Sequence, residues 1–225
     1  MKNAAYVSRK SKKAWPTKEA MEQVYAKKLW GGEVHEFYSG IGSHHPAIIE
    51  PYIAEVTSFL KSFKIPLVVC DLGCGDFNVG KALVSHAKKY IAIDIVGDLI
   101  AHHQENFKSE KVEFHCLDIA VDHLPVGDCA LLRQVLQHLS NTEIQAVISK
   151  LSSFKYVVLT EHLPTDDFVP NKEIISGQGT RLKKQSGVCL TAPPFHFKVK
   201  EEKQLLSLTS NDGKGKIVTT LYTLF

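Results

Sequence analysis

The sequence predicts an α/β fold: a doubly wound, mainly parallel sheet of seven strands, with N-terminal helices and an antiparallel C-terminal hairpin strand. Two observations support this prediction. Between residues 67 and 163, short apolar runs alternate with segments whose apolar residues recur at helical spacing. Such alternation is typical of a parallel sheet covered on both faces. After residue 194, two strand-like runs flank the turn signal NDGKG, which indicates a hairpin that closes the sheet.

Five of these strands are predicted from apolar runs. The runs are LVVCDL, YIAIDIV, VEFHCLDI, CALLRQV and KYVVLTEHL, which begin at residues 67, 90, 112, 129 and 155. Helical segments between them start near Val79, Asp98 and Ser140. Asp98 is expected to cap its helix, and the last helix opens with a capping box from Ser140 to Glu143.

The chain before the first strand is predicted to hold two helices and a loop. TKEAMEQVYAKKLWGG, residues 17–32, indicates a helix that is stopped by Gly31 and Gly32. A second helix is predicted from Pro51, because a proline in the first helical turn costs no hydrogen bond. Between them, FYSGIGSHH at residues 37–45 is a glycine-punctuated loop and a candidate to cover a ligand.

Length and composition exclude several classes of protein. The 225 residues are 44% hydrophobic and 23% charged, which suits one domain with a full core and excludes global disorder. No apolar run approaches the roughly 20 residues that span a bilayer, and no secretory signal is recognised. The five cysteines are odd in number and four lie in or beside predicted strands, so they are interpreted as reduced core thiols of a cytoplasmic protein. They include no CxxC pair, which argues against a structural zinc site. No metal site is predicted.

Charge divides the chain into a basic N-terminal segment, residues 1–28, and a single domain, residues 29–225. The segment carries eight lysines and arginines against two glutamates. It is interpreted as solvated, partly mobile or helical, and dispensable for folding, while nucleic-acid contact stays open. A chain that starts near Thr17 is therefore expected to keep its melting temperature. Residues 164–194, rich in proline, glycine and polar residues, are expected to form a substrate lid.

Charged side chains stand at or near the ends of four successive strands. They are Asp71, Asp94, Asp118 and Arg133, and in a parallel sheet the carboxyl ends of the strands face the ligand. A dinucleotide loop would need a third glycine where the chain has Asn78, and no P-loop lysine follows. Carboxylates around the turn would also repel a phosphate. The residues therefore favour an adenosine-type ligand with a positive, phosphate-free tail.

Over about residues 67–163, the chain resembles class I (Rossmann-like) S-adenosylmethionine-dependent methyltransferases. The resemblance is carried by DLGCGDF for the glycine loop, AIDI and CLDI for the acids after the second and third strands, and LLRQVLQHLS for the exit of the fourth. One departure is Phe77, which stands where the family's loop usually has its third glycine.

The resemblance implies S-adenosylmethionine as the cofactor. Gly73 and Gly75 would let the backbone approach its methionine part, Asp71 would face the amino group, and Asp94 would accept both ribose hydroxyls. The adenine edge would meet Asp118 and the amide of Ile119, and Ser43 would lie near the carboxylate. The other residues assigned to the cofactor are Cys74, Ile95 and Arg133.

Four side chains are candidates to act on the methyl acceptor: Arg133, His138, Glu161 and His162. A base within hydrogen-bond reach helps if the acceptor is a hydroxyl or an ammonium group. Purely structural roles stay open for the two histidines. Arg181, on the expected lid, is predicted to orient an anionic or polar substrate group, because a guanidinium presents a fork that suits a carboxylate or a phosphate.

The predicted function is transfer of a methyl group to an unidentified acceptor, with a small molecule as the first choice. Two alternatives stay open: an RNA methyltransferase that uses the basic N-terminus, and a catalytically idle protein that binds an adenosyl ligand. No membrane partner is predicted, and the oligomeric state stays open.

Overall fold

The structure, a computed structural model, describes residues 16–33, 36–209, 213 and 215–225. Its strands are β1 (Val68–Leu72), β2 (Lys89–Asp94), β3 (Val112–Cys116), β4 (Cys129–Arg133), β5 (Tyr156–Leu163), β6 (Glu201–Thr209) and β7 (Lys216–Thr223). They form one sheet in the order β3-β2-β1-β4-β5-β7-β6. β1 to β5 pair in parallel, and β7 runs antiparallel to β5 and β6. The predicted fold class is confirmed.

This strand order places a crevice at the centre of the sheet. β1 lies between β2 and β4, so the chain leaves β1 to one side and later returns on the other. In doubly wound sheets, ligands bind where the strand order reverses, outside the carboxyl ends. A ligand site is therefore expected outside the carboxyl ends of β1, β2 and β4.

The helices are α1 (Thr17–Ala26), α2 (Pro46–Lys61), α3 (Gly80–Leu83), α4 (Gly97–Asn106) and α5 (Asn141–Leu151). The predicted start of the second helix at Pro51 was wrong: Pro46 occupies the first turn, and Pro51 lies inside α2. Asp98 does not cap α4, since it lies one residue inside the helix. The capping box of α5 is present, with Ser140 and Glu143 hydrogen-bonded in both directions.

Alternating side chains on the strands feed two cores, one on each face of the sheet. Leu131 and Val158 pack with Val56 and Leu60 of α2 on one face. The opposite face buries Leu132 against α5 and the chain that follows β5. All five cysteines are free, but Cys116 is exposed, so its interpretation as a core thiol was wrong. Among the described residues, no helix is long and apolar enough to cross a membrane.

The expected lid is largely built into the body of the protein. Within residues 164–200, Val188, Leu190 and Phe195 are buried in the core beneath the sheet. Asn171 is also buried, and its amide bonds the carbonyls of Cys189 and Pro193. These contacts anchor the segment on the sheet face that also carries α5.

Helix α1 packs on the domain. Met21 and Val24 are buried against Val96 and Leu99, at the end of β2 and the start of α4. The amphipathic spacing of α1 places these two side chains on one face. The part of the basic segment from residue 17 onward therefore belongs to the folded body, whereas residues 1–15 lie outside the described part.

Two shortened chains separate these parts of the N-terminus. A chain that begins at Pro16 keeps every contact that the structure describes for α1, so we expect its melting temperature to stay within a few degrees of the full chain. A chain that begins at Leu29 loses the buried Met21 and Val24, and we expect the free energy of unfolding to fall by about 2–4 kcal/mol. Denaturant unfolding of both chains measures this difference. Equal stability of the two would show that α1 is not part of the cooperative fold.

Candidate functional site

A cavity of about 420 Å³ opens at the carboxyl ends of the central strands. Pockets for small ligands measure roughly 300–1,000 Å³, so its size suits a nucleoside-sized molecule. Strand-end residues form its floor: Asp71, Gly73, Cys74, Gly75, Asp94, Ile95, Asp118, Ile119 and Arg133. Its other walls include Tyr25, Trp30, Ser39, Gly42, Ser43, Gln137 and His138.

The glycine loop after β1 has a conformation that larger residues would not tolerate. Gly73 has a φ of +90°, and a Cβ atom there would lie 2.4 Å from Cγ2 of Val135. Gly75 has a φ of +55°, and its Cβ would lie 2.4 Å from Oγ of Ser39. Phe77, two residues after Gly75, also has a positive φ, of 61°, and its ring is buried. The two glycines thus let the loop turn tightly beneath its neighbours.

Two buried carboxylates face the cavity from β1 and β2. Asp71 accepts a hydrogen bond from the Tyr90 hydroxyl at 2.8 Å, and burial raises the pKa of its carboxyl to about 6. Asp94 accepts from the amides of Gly75 at 3.0 Å and Val96 at 3.1 Å. Burial also raises the pKa of Asp94. Each group has lone pairs left for ligand donors, and a cationic ligand would offset the cost of burying them.

The third acid is held in a rigid turn after β3. Asp118 accepts a hydrogen bond from the Ala120 amide at 2.8 Å, and its own amide donates to Asp122 at 2.8 Å. Lys150, from α5, donates to the carbonyls of Ile119 at 3.0 Å and Asp122 at 2.7 Å. Lys150 therefore holds the turn at Asp118 and Ile119 in place from the side that faces away from the cavity.

Arg133, at the end of β4, supplies a positive charge to the cavity. Its guanidinium donates to Ser43 Oγ at 3.1 Å and to the Gly42 carbonyl, and it lies 5.0 Å from the centroid of the Tyr52 ring. Its Nε atom is buried and makes no protein hydrogen bond. Burial lowers the pKa of this group, whereas the nearby Tyr52 and Asp71 raise it. The free donor suits an anionic ligand group.

We call residues 16–33 and 36–45 the roof, because they cover the cavity and are fastened to the glycine loop. Asp76 accepts hydrogen bonds from the Ser39 amide and from His44 Nε2, both at 2.6 Å. Ser39 Oγ in turn bonds the Asp76 amide and the Tyr25 hydroxyl, each at 2.8 Å. Asp76 therefore fastens the roof, and its carboxylate, which also lines the cavity, is already hydrogen-bonded to Ser39 and His44.

His138 also lines the cavity, but both of its ring nitrogens have protein partners. Nδ1 lies 3.2 Å from the Gly179 carbonyl, and Nε2 lies 3.2 Å from the Gln137 amide nitrogen. Its ring centroid is 5.1 Å from that of Trp30. Burial lowers the pKa of His138 to about 4, so the ring is neutral near pH 7. These contacts argue against its predicted use as a base in this arrangement.

Three of the predicted acceptor residues do not line the cavity. Arg181 is fully buried and donates to the carbonyls of Lys172, Leu136 and Leu139 at 2.8–3.1 Å, so its predicted substrate role was wrong. Glu161 is buried on the same side as Arg181. His162 lies on β5 against Gly215, away from the cavity. The structure does not bring Glu161 and His162 to this cavity, and their acceptor roles stay predictions.

Glu161 is instead expected to make stability depend on pH. Burial raises the pKa of its carboxyl from 4.5 to about 8, although Arg181 and the amides of Leu136 and Gln137 oppose the shift. Because the pKa of Glu161 is higher in the folded than in the unfolded protein, its contribution to the free energy of unfolding is fully present below the unfolded-state pKa. That contribution is lost as the pH rises through about 8, where the buried carboxyl ionises. In Glu161→Gln the side chain stays neutral at every pH, so this loss of stability should disappear. At high pH the variant should be more stable than the wild type by about 1–3 kcal/mol.

Denaturant unfolding at several pH values measures the effect, and Glu201→Gln, at an exposed position of β6, is the matched control. A wild-type stability that stays flat from acidic to alkaline pH would contradict this prediction.

The structure brings the whole predicted cofactor set to one cavity. Ser43 reaches it from a loop far away in sequence, through its bond to Arg133. Sequence reasoning missed Tyr25, Trp30, Ser39 and Gln137, whose positions depend on long-range packing. The glycine-punctuated stretch around Ser39 was the available signal. Among the described residues, no group of three or more histidines, cysteines or acids is arranged to hold a metal ion.

Comparison with known proteins agrees with this geometry. Residues 69–155 match a family model described as a methyltransferase domain. No curated protein matches the chain. The N-methyltransferase NodS from Bradyrhizobium japonicum WM9, solved with S-adenosyl-L-homocysteine, superimposes with a TM-score of 0.64 at 12% identity, over 91% of this chain and 98% of that one.

Two further solved structures share the fold. Magnesium protoporphyrin IX methyltransferase (ChlM) from Synechocystis PCC 6803, with bound SAM, gives a TM-score of 0.58 at 16% identity, over 95% of this chain and 100% of that one. The [4+2]-cyclase SpnF gives 0.61 at 13% identity, over 95% and 99%. Residues 69–155 thus match a methyltransferase domain, and the chain shares the α/β fold of these solved structures.

Proposed function

We propose that this chain binds S-adenosylmethionine in the central cavity and transfers its methyl group to a small molecule. The observation that carries the proposal is the convergence of Asp71, Asp94 and Asp118 with the glycine loop around a cavity of about 420 Å³. The residues fit the cofactor, because a cationic ligand stabilises the ionised form of buried carboxylates whose pKa values are raised. S-adenosylmethionine also carries no phosphate that these carboxylates would repel.

Each part of the wall has a role in holding the cofactor. Asp94 accepts hydrogen bonds from the ribose hydroxyls, and the turn at Asp118 and Ile119 contacts the adenine edge. Asp71 faces the ammonium group, and Arg133, with its free Nε donor, binds the carboxylate. When bound, the cofactor supplies a methyl group on a sulfonium sulfur, a good leaving group.

The protein's own contribution to transfer is alignment and exclusion of water. The roof, fastened through Asp76 and Ser39, closes the cavity above the strand ends. The acceptor then approaches from the side lined by Trp30 and His138. Holding two reactants in line in a dry site removes much of the entropic barrier without a covalent nucleophile.

The test is an activity screen of metabolite extract with methyl-labelled S-adenosylmethionine, preceded by calorimetry with the cofactor and with S-adenosylhomocysteine. The proposal expects binding of both and label in a small molecule. Binding of NAD with no affinity for either adenosyl ligand would refute it. Label that appears only in RNA, with salt-sensitive retention of RNA, would shift the acceptor to a macromolecule.

A second function, binding of an adenosyl ligand without methyl transfer, is supported by one observation. The [4+2]-cyclase SpnF, which shares the fold, is named for a reaction other than methylation. Tight binding of S-adenosylhomocysteine without label in any metabolite or RNA would favour this function.

A further inference from the structure

Among the residues that the structure describes, one part of the cavity wall carries no charged side chain. We call it the acceptor end, formed by Trp30, Gln137, His138, Gln178 and Thr180. Two contacts connect this end to the roof: Trp30 packs on His138 with ring centroids 5.1 Å apart, and Gln178 donates to the carbonyl of Leu29, the neighbour of Trp30, at 3.0 Å. The roof and the segment after β5 therefore meet across this end.

A chain of hydrogen bonds fixes how this end presents its polar atoms. The backbone amide of His162 donates to Gln137 Oε1 at 3.3 Å, which turns the Gln137 amide nitrogen towards His138 Nε2, 3.2 Å away. An amide nitrogen can only donate, so Nε2 accepts and Nδ1 carries the proton. Nδ1 then donates to the Gly179 carbonyl at 3.2 Å. His138 is thus assigned as the neutral Nδ1–H tautomer.

The charged groups of the cavity lie elsewhere or are already paired. Asp71, Asp94 and Asp118 stand on the strand-end floor, Asp76 is bonded to His44, and Arg133 is held by Ser43. Arg181 is not part of the cavity wall: it donates to the Leu136 carbonyl, and its charge adds to the burial that lowers the pKa of His138. In the described part of the chain, the acceptor end therefore holds no carboxylate or ammonium group and no imidazole lone pair ready to take a proton.

We propose that the acceptor is uncharged when it binds and that it is methylated on a neutral nitrogen, an inference that rests on the proposed function. A hydroxyl must lose its proton as it reacts, and none of the described residues at the acceptor end is a base that could take it. A neutral nitrogen attacks with its own lone pair. A charged acceptor group would be buried without a partner. The second amide hydrogen of Gln137 and the Trp30 ring offer a polar and an apolar contact to such a molecule.

The step balances without a protein base. The nitrogen lone pair forms the new N–C bond while the bond between sulfur and methyl breaks, and its electron pair goes to sulfur. The acceptor nitrogen gains one positive charge. If it carries a hydrogen, that proton passes to solvent. In this account Gln137 is a positioning residue, which keeps His138 in its neutral tautomer.

The first test reads the tautomer directly, without turnover. In ¹⁵N NMR of the protein saturated with S-adenosylhomocysteine, we expect His138 Nε2 to stay unprotonated from about pH 5 to 8, because its pKa lies near 4. In Gln137→Glu the new carboxylate accepts instead of donating, so we expect Nε2 to become protonated and the pKa to rise. Gln137→Met removes the hydrogen bonds of residue 137 to His138 and to the His162 amide but keeps a side chain of similar size. It therefore separates the effect of hydrogen bonding on the tautomer from the effect of packing. A wild-type His138 that titrates near its ordinary value would supply a base and overturn the proposal.

The second test concerns the acceptor. Aniline, benzoate and benzylammonium are compared by quenching of tryptophan fluorescence on the same loaded protein, with Trp30→Phe as the control. We expect aniline to bind at least about tenfold more tightly than either ion, and only when Trp30 is present. Equal or tighter binding of an ion, or no binding of any probe, overturns the proposal.

In the extract screen, mass spectrometry locates the label. Label on nitrogen supports the proposal, and label on a hydroxyl or carboxyl oxygen overturns it. Loss of S-adenosylhomocysteine binding would instead defeat the proposed function, so the two failures are distinguishable.

Discussion

Asp94→Asn is expected to weaken S-adenosylmethionine binding by about 2–4 kcal/mol, which is roughly a 30- to 1,000-fold rise in Kd. The carboxylate of Asp94 is buried and already accepts from the amides of Gly75 and Val96. In the proposed complex it also accepts from two ribose hydroxyls. An asparagine keeps the size but has one acceptor oxygen in place of two, and its NH₂ group faces donors.

Calorimetry measures the change, and Asp98→Asn is the matched control. Asp98 lies four residues further along on an exposed turn of α4, so the same loss of charge there should leave Kd within about twofold. Denaturant unfolding of Asp94→Asn shows whether the glycine loop is still formed. If the folded Asp94→Asn protein binds S-adenosylmethionine with unchanged affinity, the proposed contact between Asp94 and the ribose is wrong.

Arg181→Met is expected to lower the free energy of unfolding by about 3–5 kcal/mol, or the melting temperature by roughly 6–20 °C. The guanidinium donates to the buried carbonyls of Leu136 and Leu139 and to two half-buried acceptors, the Lys172 carbonyl and Oδ1 of Asn141. A methionine fills much of the volume but leaves these oxygens without donors, and it strips Glu161 of its nearby positive charge.

The exposed neighbour Lys183→Met is the control and should change stability by less than about 0.5 kcal/mol. Arg181→Lys keeps the charge but not the fork, so an intermediate loss is expected. At a temperature where Arg181→Met is folded, its affinity for S-adenosylhomocysteine should equal that of the wild type. A specific loss of substrate binding in a protein of normal stability would restore the substrate role for Arg181.

The fold and the floor of the site could be predicted because both follow local rules. Apolar runs and helical spacing define the elements, and the carboxyl ends of parallel strands share one edge, so Asp71, Asp94 and Asp118 had to lie near one another. The capping box at Ser140 is likewise a local signal, set by two side chains three residues apart. These features need no knowledge of distant contacts.

The rest of the site depends on contacts that the sequence does not order. Asp76 and Ser39 are 37 residues apart, and no pattern pairs them. Glu161 and His162 are adjacent on β5, so their side chains point to opposite faces of the sheet, and the sequence alone indicates that they do not share one wall of a pocket. Arg181 looked exposed because its surroundings are polar, whereas backbone carbonyls of the turn before α5 enclose it.

The fastening of the roof to the glycine loop has a consequence for how ligands come and go. Helix α1 buries only Met21 and Val24, so its local opening costs far less than unfolding the sheet. A molecule inside the cavity touches the strand ends and the roof at once, and thereby acts as an additional cross-link between them. Ligand exchange would then be timed by the unlatching of the N-terminal helix, and amide hydrogens of α1 would exchange more slowly when the cavity is filled.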